Sequence, residues 1–237
     1  MAGAADMIWQ LWNAGEVIDS LPEDLRPHTR DEGYAVQAEL EALSKRPLVG
    51  WKIAATSKAG QHHIGVSGPI AGRLLAQRVF DDGAELAFGA NRMRVAEPEF
   101  AFRFGQALGP REDAYQIDEV LAAVDSLHPA IEVPDSRFDD FASAGEAQLI
   151  ADNACAHEFV LGPATSANWR DIDLSKHEVS VEAVGGDQYT GIGSNVLGDP
   201  RVALLWLANE VTGLGLTLDA GHVVTTGTCA EPLEVEP

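Results

Sequence analysis

A chain of 237 residues, 46% of them hydrophobic, is long enough to bury a full core. Against 37 acidic residues stand 16 basic ones; the net charge of −21 excludes a nucleic-acid surface and disfavours an anionic membrane face, since both need clustered positive charge. No apolar run reaches the ~18 residues of a membrane span. The first residues lack the basic stretch and apolar block of a secretory signal. The two cysteines, Cys155 and Cys229, show no pairing or zinc pattern, so the expected setting is the reducing cytoplasm. An anionic substrate would need positive charge supplied locally on so acidic a chain, and a metal ion would do so.

Over residues 6–21, Met7, Ile8, Leu11, Trp12, Val17 and Ile18 recur at helical spacing. Pro22 and Pro27 mark a loop. Residues 31–43 then predict a second amphipathic helix with Tyr34, Ala35, Leu40 and Leu43 facing the core. Pro47 closes this helical section, residues 1–47. In residues 48–237 the texture changes to short apolar runs, rich in β-branched residues and divided by Gly, Pro, Asp and Asn. Strands are expected at 48–54, 72–75, 93–104, 130–133, 159–161, 179–184 and 223–226. Helices are expected at 117–127 and at 202–214, the latter opened by Asp199-Pro200 and stopped by Gly213 and Gly215. Strands do not alternate strictly with helices. The expected fold is therefore α+β, a mostly β core with a helical N-terminal section, rather than a doubly wound parallel sheet.

Within Arg94-Val-Ala-Glu-Pro-Glu-Phe-Ala-Phe102, Glu97 and Glu99 fall two residues apart in a strand and so share a face. Two such carboxylates repel unless they are exposed, share a proton or are bridged by a cation. Periodicity alone favours the exposed face; Val95, Phe100 and Phe102 pull the segment toward the core. Pro98 between them suggests an edge strand or a bulge. Glu132, between Ile131 and Val133, is balanced between a wet strand face and a paired internal charge. Three oxygen ligands without His or Cys would suit a hard ion such as Mg²⁺ or Mn²⁺. Lys52, between Trp51 and Ile53, is either an exposed strand residue or a buried ammonium able to bind a carboxylate or move protons. Adjacent His62 and His63 point apart and chelate one ion poorly, and Gly191-Ile-Gly193-Ser194-Asn195 reads as a turn.

In order along the chain, these segments resemble the hydratase and decarboxylase branch of the fumarylacetoacetate hydrolase superfamily. Tyr34-Ala-Val-Gln37 is similar to that family's Tyr-x-x-Gln helix. Val49-Gly-Trp-Lys-Ile-Ala-Ala-Thr-Ser57 is similar to its Gly-x-Lys-x-x-x-Thr strand, and Ile64-Gly-Val66 with Pro69 and Gly72 to the segment that follows. Glu97 and Glu99 form its Glu-x-Glu, and Pro129-Ala-Ile-Glu-Val-Pro-Asp-Ser-Arg137 resembles its Pro-Ala-x-Glu-x-x-x-Ser-Arg. Ala151-Asp-Asn-Ala154, Val196-Leu-Gly-Asp-Pro200, Trp206-Leu-Ala-Asn209 and Thr226-Gly-Thr228 complete the order. Each match is weak alone; their shared order is specific.

The resemblance implies a largely β core, a homo-oligomer, and Mg²⁺ or Mn²⁺ on Glu97, Glu99 and Glu132. It implies a small 2-oxo acid as substrate, with Lys52 and Arg137 as catalytic residues and Asp152, Asn153 and Thr228 beside Lys52 in the substrate site. Asp135 and Arg137 can equally pair with each other. The implied reaction is addition of water to a 2-hydroxy-2,4-dienoate, giving a 4-hydroxy-2-oxo acid in aromatic catabolism. Decarboxylation of a 4-oxalocrotonate-type dicarboxylate is the alternative, with acylpyruvate hydrolysis or non-catalytic binding third. Two features depart from the pattern. Family hydratases often carry an acid after the proline matched by Pro69, where this chain has Ile70. Relatives also continue through a Gly-Asp turn into closing strands where this sequence stops at Glu234-Val-Glu-Pro237; either the sequence is cut short or those strands are absent, and a missing strand would leave a vulnerable sheet edge.

Overall fold

The computed structural model describes residues 1–183, 186 and 188–236. Helix α1 (Ala2–Ala14) ends where Gly15 takes a left-handed φ of 68° and caps the last turn. The expected run to residue 21 therefore stops early, and Ile18 instead bridges Phe138 in extended backbone. Helix α2 (Arg30–Ser44) begins at a reciprocal capping box, with Thr29 accepting from Glu32 N while the Glu32 carboxylate accepts from Thr29 N. Its buried face is Gly33, Tyr34, Val36, Gln37 and Leu40. Leu43 is half-buried and packs against the core as expected, whereas Ala35 is exposed, because the helix packs against α1, residues 146–151 and residues 70–75 and turns Val36 and Gln37 inward instead.

The strands are β1 (Leu48–Ala54), β2 (Ile70–Leu75), β3 (Val79–Asp81), β4 (Val95–Phe104), β5 (Val124–Val133), β6 (Glu158–Leu161), β7 (Glu178–Glu182), β8 (Gln188–Ile192), β9 (Val223–Thr228) and β10 (Leu233–Glu234). Val184, the expected end of one strand, lies outside the described residues. The main sheet runs β2-β1-β9-β4-β5-β6-β3, with β10 also on β4; β7 and β8 form a separate hairpin. Most neighbours are antiparallel; β1 with β9 and β3 with β6 are parallel. The sheet is mixed and mostly antiparallel, as expected of an α+β fold.

The remaining helices are α3 (Lys58–His63), α4 (Ile117–Ala123), α5 (Glu146–Ala151) and α6 (Pro200–Gly213). In α6, Asp199 accepts from Arg201 N and Pro200 takes the first turn, as the sequence predicts. Helix α4 is shorter than the expected 117–127. Val124 turns extended and pairs with Phe104, so residues 124–127 join β5: the sheet ladder overrides local helical periodicity. Pro98 is not on an edge, since β4 is central. Its missing N–H falls where the partner on one side of β4 changes from β10 at Ala96 to β9 at Glu99. Both cysteines are buried and free, and among the described residues no helix is long and apolar enough to cross a membrane.

The Tyr34 and Gln37 motif ties α2 to β2. Tyr34 Oη accepts from Ala71 N (3.1 Å) and donates to Glu210 (2.9 Å), while Gln37 Nε2 donates to the carbonyls of Ala71 (2.8 Å) and Ile150 (3.0 Å). The strand opposite Lys52 is thereby fixed on its outer side.

Candidate active site

Strand register assembles the site. Glu97 and Glu99 lie on one face of β4, and Glu97 is paired directly across β5 with Glu132. On the other side of β4, Thr225 of β9 stands next to Lys52 of β1, and Lys52 faces Gly72 of β2. In a flat sheet Lys52 and Glu132 would be three strand spacings apart, about 14 Å. Their charged atoms are 3.0 Å apart, so the sheet curls and this face is concave. Phe100, Phe102 and Phe104 occupy the opposite face of β4, in the main core.

Two strand glycines make room. A Cβ on Gly72 would lie 3.0 Å from Lys52 Cγ and Cδ, so the bare backbone leaves the lysine stem its space. Gly227 has φ 93°, and its N–H donates to Glu99 Oε2 at 2.8 Å, where the Thr225 hydroxyl also donates. A Cβ there would meet Thr56 Oγ1 at 2.2 Å. Gly227→Ala is expected to destabilise the fold by about 2–3 kcal/mol in thermal denaturation. It also displaces the amide that orients Glu99, so metal affinity should fall with it.

One oxygen from each of Glu97, Glu99 and Glu132 lies within 4.8 Å of the others. Glu99 and Glu132 are 4% and 1% exposed, and Lys52 is 3% exposed. Lys52 Nζ donates to Ala154 O at 3.0 Å and makes an ion pair with Glu132 Oε1. Even so, Glu99 Oε1 and both Glu132 oxygens receive no aligned hydrogen bond. Three convergent carboxylates, two of them buried with orphaned oxygens, fit a hard divalent cation bound through oxygen.

The electrostatics agree. Burial pushes the Glu97 carboxyl up to about 7, helped by the Glu132 charge and opposed by Lys52. Burial and the neighbouring Glu132 and Glu97 charges push Glu99 well above the carboxylate range. Burial also raises Glu132, though Lys52 resists it. Burial works against the Lys52 ammonium, but the charges of Glu132, Glu97 and Glu99 outweigh it and hold its pKa above the ordinary lysine value. The metal-free cluster therefore retains protons that a cation must displace. Affinity for Mn²⁺ is expected to fall as pH drops from 8 to 6, by up to about tenfold per unit for each proton displaced. Carboxyls whose pKa is raised on folding stabilise the metal-free fold at low pH and lose that contribution as pH rises through about 7. The thermal shift on adding Mn²⁺ should therefore be larger at pH 8 than at pH 6; an equal shift would contradict the site.

A cavity of about 660 Å³ opens from this cluster, and Lys52, Glu97, Cys155 and Thr228 line it. The register orders its wall. One two-residue step along the strands from Lys52, Gly72, Glu97 and Glu132 come Ala54, Ile70, Val95 and Pro134, an apolar row about 7 Å further on. Met93, Ile64, Phe141 and His63 line it further, the His63 ring in edge contact with Phe141 at 6.1 Å. His62 and His63 are both exposed on α3, as separate side chains. Among the described residues lining the cavity, Lys52 is the only lysine or arginine, and Glu231 adds a further acid.

Arg137, Asp152 and Asn153 stand behind this wall and do not line the cavity. Arg137 binds Asp152 and takes Asp135 only through its backbone carbonyl, at 3.0 Å. Asn153 holds the backbone of Arg73. Sequence reasoning missed Ala154 O, Gly227 N–H and the Thr225 hydroxyl. Two of these are backbone groups with no residue-type signature, and only the glycines within strands at 72 and 227 hinted at close approach.

No family model matches the chain. It is 31% identical to a 2-keto-4-pentenoate hydratase of Paraburkholderia xenovorans (strain LB400) over 237 residues, covering 99% of this chain and 87% of the relative. It is 30% identical to a 2-hydroxyhexa-2,4-dienoate hydratase of Comamonas testosteroni, covering 94% and 85%. Among solved structures it resembles the 4-oxalocrotonate decarboxylase of Pseudomonas putida G7, complexed with magnesium and adipate. The TM-score is 0.85 at 26% identity, with 100% of this chain and 89% of that one covered. With its three carboxylates, its lysine and this likeness over nearly the whole length, the chain belongs to the 2-keto-4-pentenoate hydratase family.

Proposed function

We propose that the protein is a metal-dependent hydro-lyase that adds water to a 2-hydroxy-2,4-dienoate to give a 4-hydroxy-2-oxo acid in aromatic catabolism. The observation that carries this reading is a layout: Glu97 and the buried Lys52 line one end of the cavity, Glu99 and Glu132 converge on Glu97 there, and an apolar row lies one strand step away. Glu97, Glu99 and Glu132 would hold Mg²⁺ or Mn²⁺, which when bound supplies Lewis-acid stabilisation of negative charge on the 2-oxo oxygen. Lys52 is the cation that meets the substrate carboxylate or passes a proton, and Thr228 lines the same chamber. Arg137, Asp152 and Asn153 act from behind by holding the wall. Ile70 and Val95 then face the uncharged far end of the dienoate, which gains from apolar contact and needs no counter-charge.

Decarboxylation of a 2-oxo-enedioate is the second reading, and Ile70 favours it. No acid stands at that position to activate water. A carboxylate placed against the apolar row without a counter-charge is raised in energy and relieved on leaving as neutral carbon dioxide. Ultraviolet loss of the dienol against carbon dioxide release from the dicarboxylate separates the two, with added Mg²⁺ and Mn²⁺ in both assays. Turnover of the dienol supports the first reading, gas release the second; activity in neither removes both. The homo-oligomer and cytoplasmic setting implied by the resemblance belong to this proposal, and sedimentation tests the assembly.

A further inference from the structure

Behind Lys52 the chain does something costly. Asn153, Ala154 and Cys155 are consecutive residues with φ of 55°, 53° and 59°. Side chains of L residues crowd the backbone in this left-handed region. Asn tolerates it, whereas Ala and Cys do not. Such a run persists only where its surroundings over-determine it.

The surroundings here are specific. The Asn153 amide brackets one residue of β2, with Oδ1 accepting from Arg73 N at 2.7 Å and Nδ2 donating to Arg73 O at 2.9 Å. Before it, Asp152 accepts from Ser136 Oγ (2.7 Å), Arg137 N (3.1 Å) and Arg137 Nε. After it, Cys155 O accepts from Asp135 N at 3.0 Å. The turn reverses the chain as it leaves α5. Carbonyls in a continuing helix would point along its axis; here Ala154 O is aimed at Lys52 Nζ, 3.0 Å away. Asn153 O lies against the bare face of Gly72, where a Cβ would be 2.4 Å from it. The lysine is thus confined between Gly72, the turn and Glu132.

We infer that Asn153 is a positioning residue for Lys52: its amide pins the left-handed turn to β2, and the Ala154 carbonyl of that turn holds the ammonium at the carboxylate cluster. The catalytic consequence rests on the proposed role of Lys52; the structural consequence does not.

The test separates the two. Reductive methylation of the metal-free protein, read at Lys52 by peptide mass spectrometry, is compared with Lys176, whose side chain is 82% exposed. Lys52 of the wild type should be strongly protected. In Asn153→Ala it should react at least about tenfold faster, as the turn opens locally. Adding Ala154→Gly lowers the steric cost of the left-handed backbone and should restore most of the protection. Asn153→Asp, which keeps the acceptor and loses the donor, should fall between and serves if Asn153→Ala does not fold. With the dienol, kcat/KM should fall and recover in the same order; an inactive wild type would count against the proposed reaction and leave the methylation result standing. Unchanged protection of Lys52 in the folded Asn153→Ala or Asn153→Asp variant, or exposure that Ala154→Gly does not reverse, would overturn the inference.

Discussion

A Glu99→Gln enzyme is expected to fold, to lose its metal and to be inactive. Gln matches Glu in shape. Its carbonyl oxygen can occupy the Oε2 position, where Gly227 N–H and the Thr225 hydroxyl donate. Its amide nitrogen then takes the position of Oε1, which has no partner and is buried. The anion is lost, but no cavity is opened and no strand contact is removed. Mn²⁺ affinity should drop at least about 100-fold in calorimetry, beyond what outer-shell changes cost at other metal sites. Turnover should fall about a thousandfold, equivalent to about 4 kcal/mol of transition-state stabilisation. The thermal midpoint without metal should hold or rise, because burial and its charged neighbours already disfavour ionised Glu99. Wild-type Mn²⁺ affinity in this variant would remove the proposed centre.

Lys52→Met should separate metal binding from catalysis. Lys52 is the only lysine or arginine among the described residues lining the cavity, and its ammonium is paired with Glu132. Methionine keeps the unbranched stem against Gly72 and removes the charge. Without metal, the buried Glu132 loses its counter-ion, which typically costs about 3–5 kcal/mol less whatever proton uptake relieves. A divalent cation restores positive charge to the same corner, so Mn²⁺ should still bind and should stabilise the variant more than the wild type. Turnover should remain at least about a hundredfold down even with saturating metal, because the group that meets the carboxylate or passes the proton is gone. A metal-saturated Lys52→Met enzyme with near wild-type kcat would exclude Lys52 from the chemistry.

The sequence reveals the chemistry of this site more readily than its geometry. The two-residue strand period places Glu97 and Glu99 together without any knowledge of the fold. Glu132 joins them through the β4–β5 register, which depends on non-local pairing that local patterns do not encode; only the resemblance supplied it. The same dependence explains the fold-level differences. Residues 124–127 read as helix until β4 pairs with them, and of the two readings of Pro98, edge or bulge, the register shift beside it in the β4–β9 ladder favours the second. Ala35 gives way to Val36 and Gln37 because α2 packs on α1, α5 and β2 at once. Arg137, Asp152 and Asn153 sit near Lys52 as their motifs suggest, but their polar atoms are used on one another and on the backbone. That arrangement makes a wall rather than a binding surface.

The proposed chemistry requires a cation and a 2-oxo acid to share the three-carboxylate corner. Titrating oxalate, which has adjacent carboxylates but no diene, into the protein with and without Mg²⁺ tests this by calorimetry. Oxalate should bind in the presence of Mg²⁺, fail to bind without it, and fail with Mg²⁺ in Glu99→Gln. Equal oxalate affinity with and without Mg²⁺ would contradict a shared metal and substrate site.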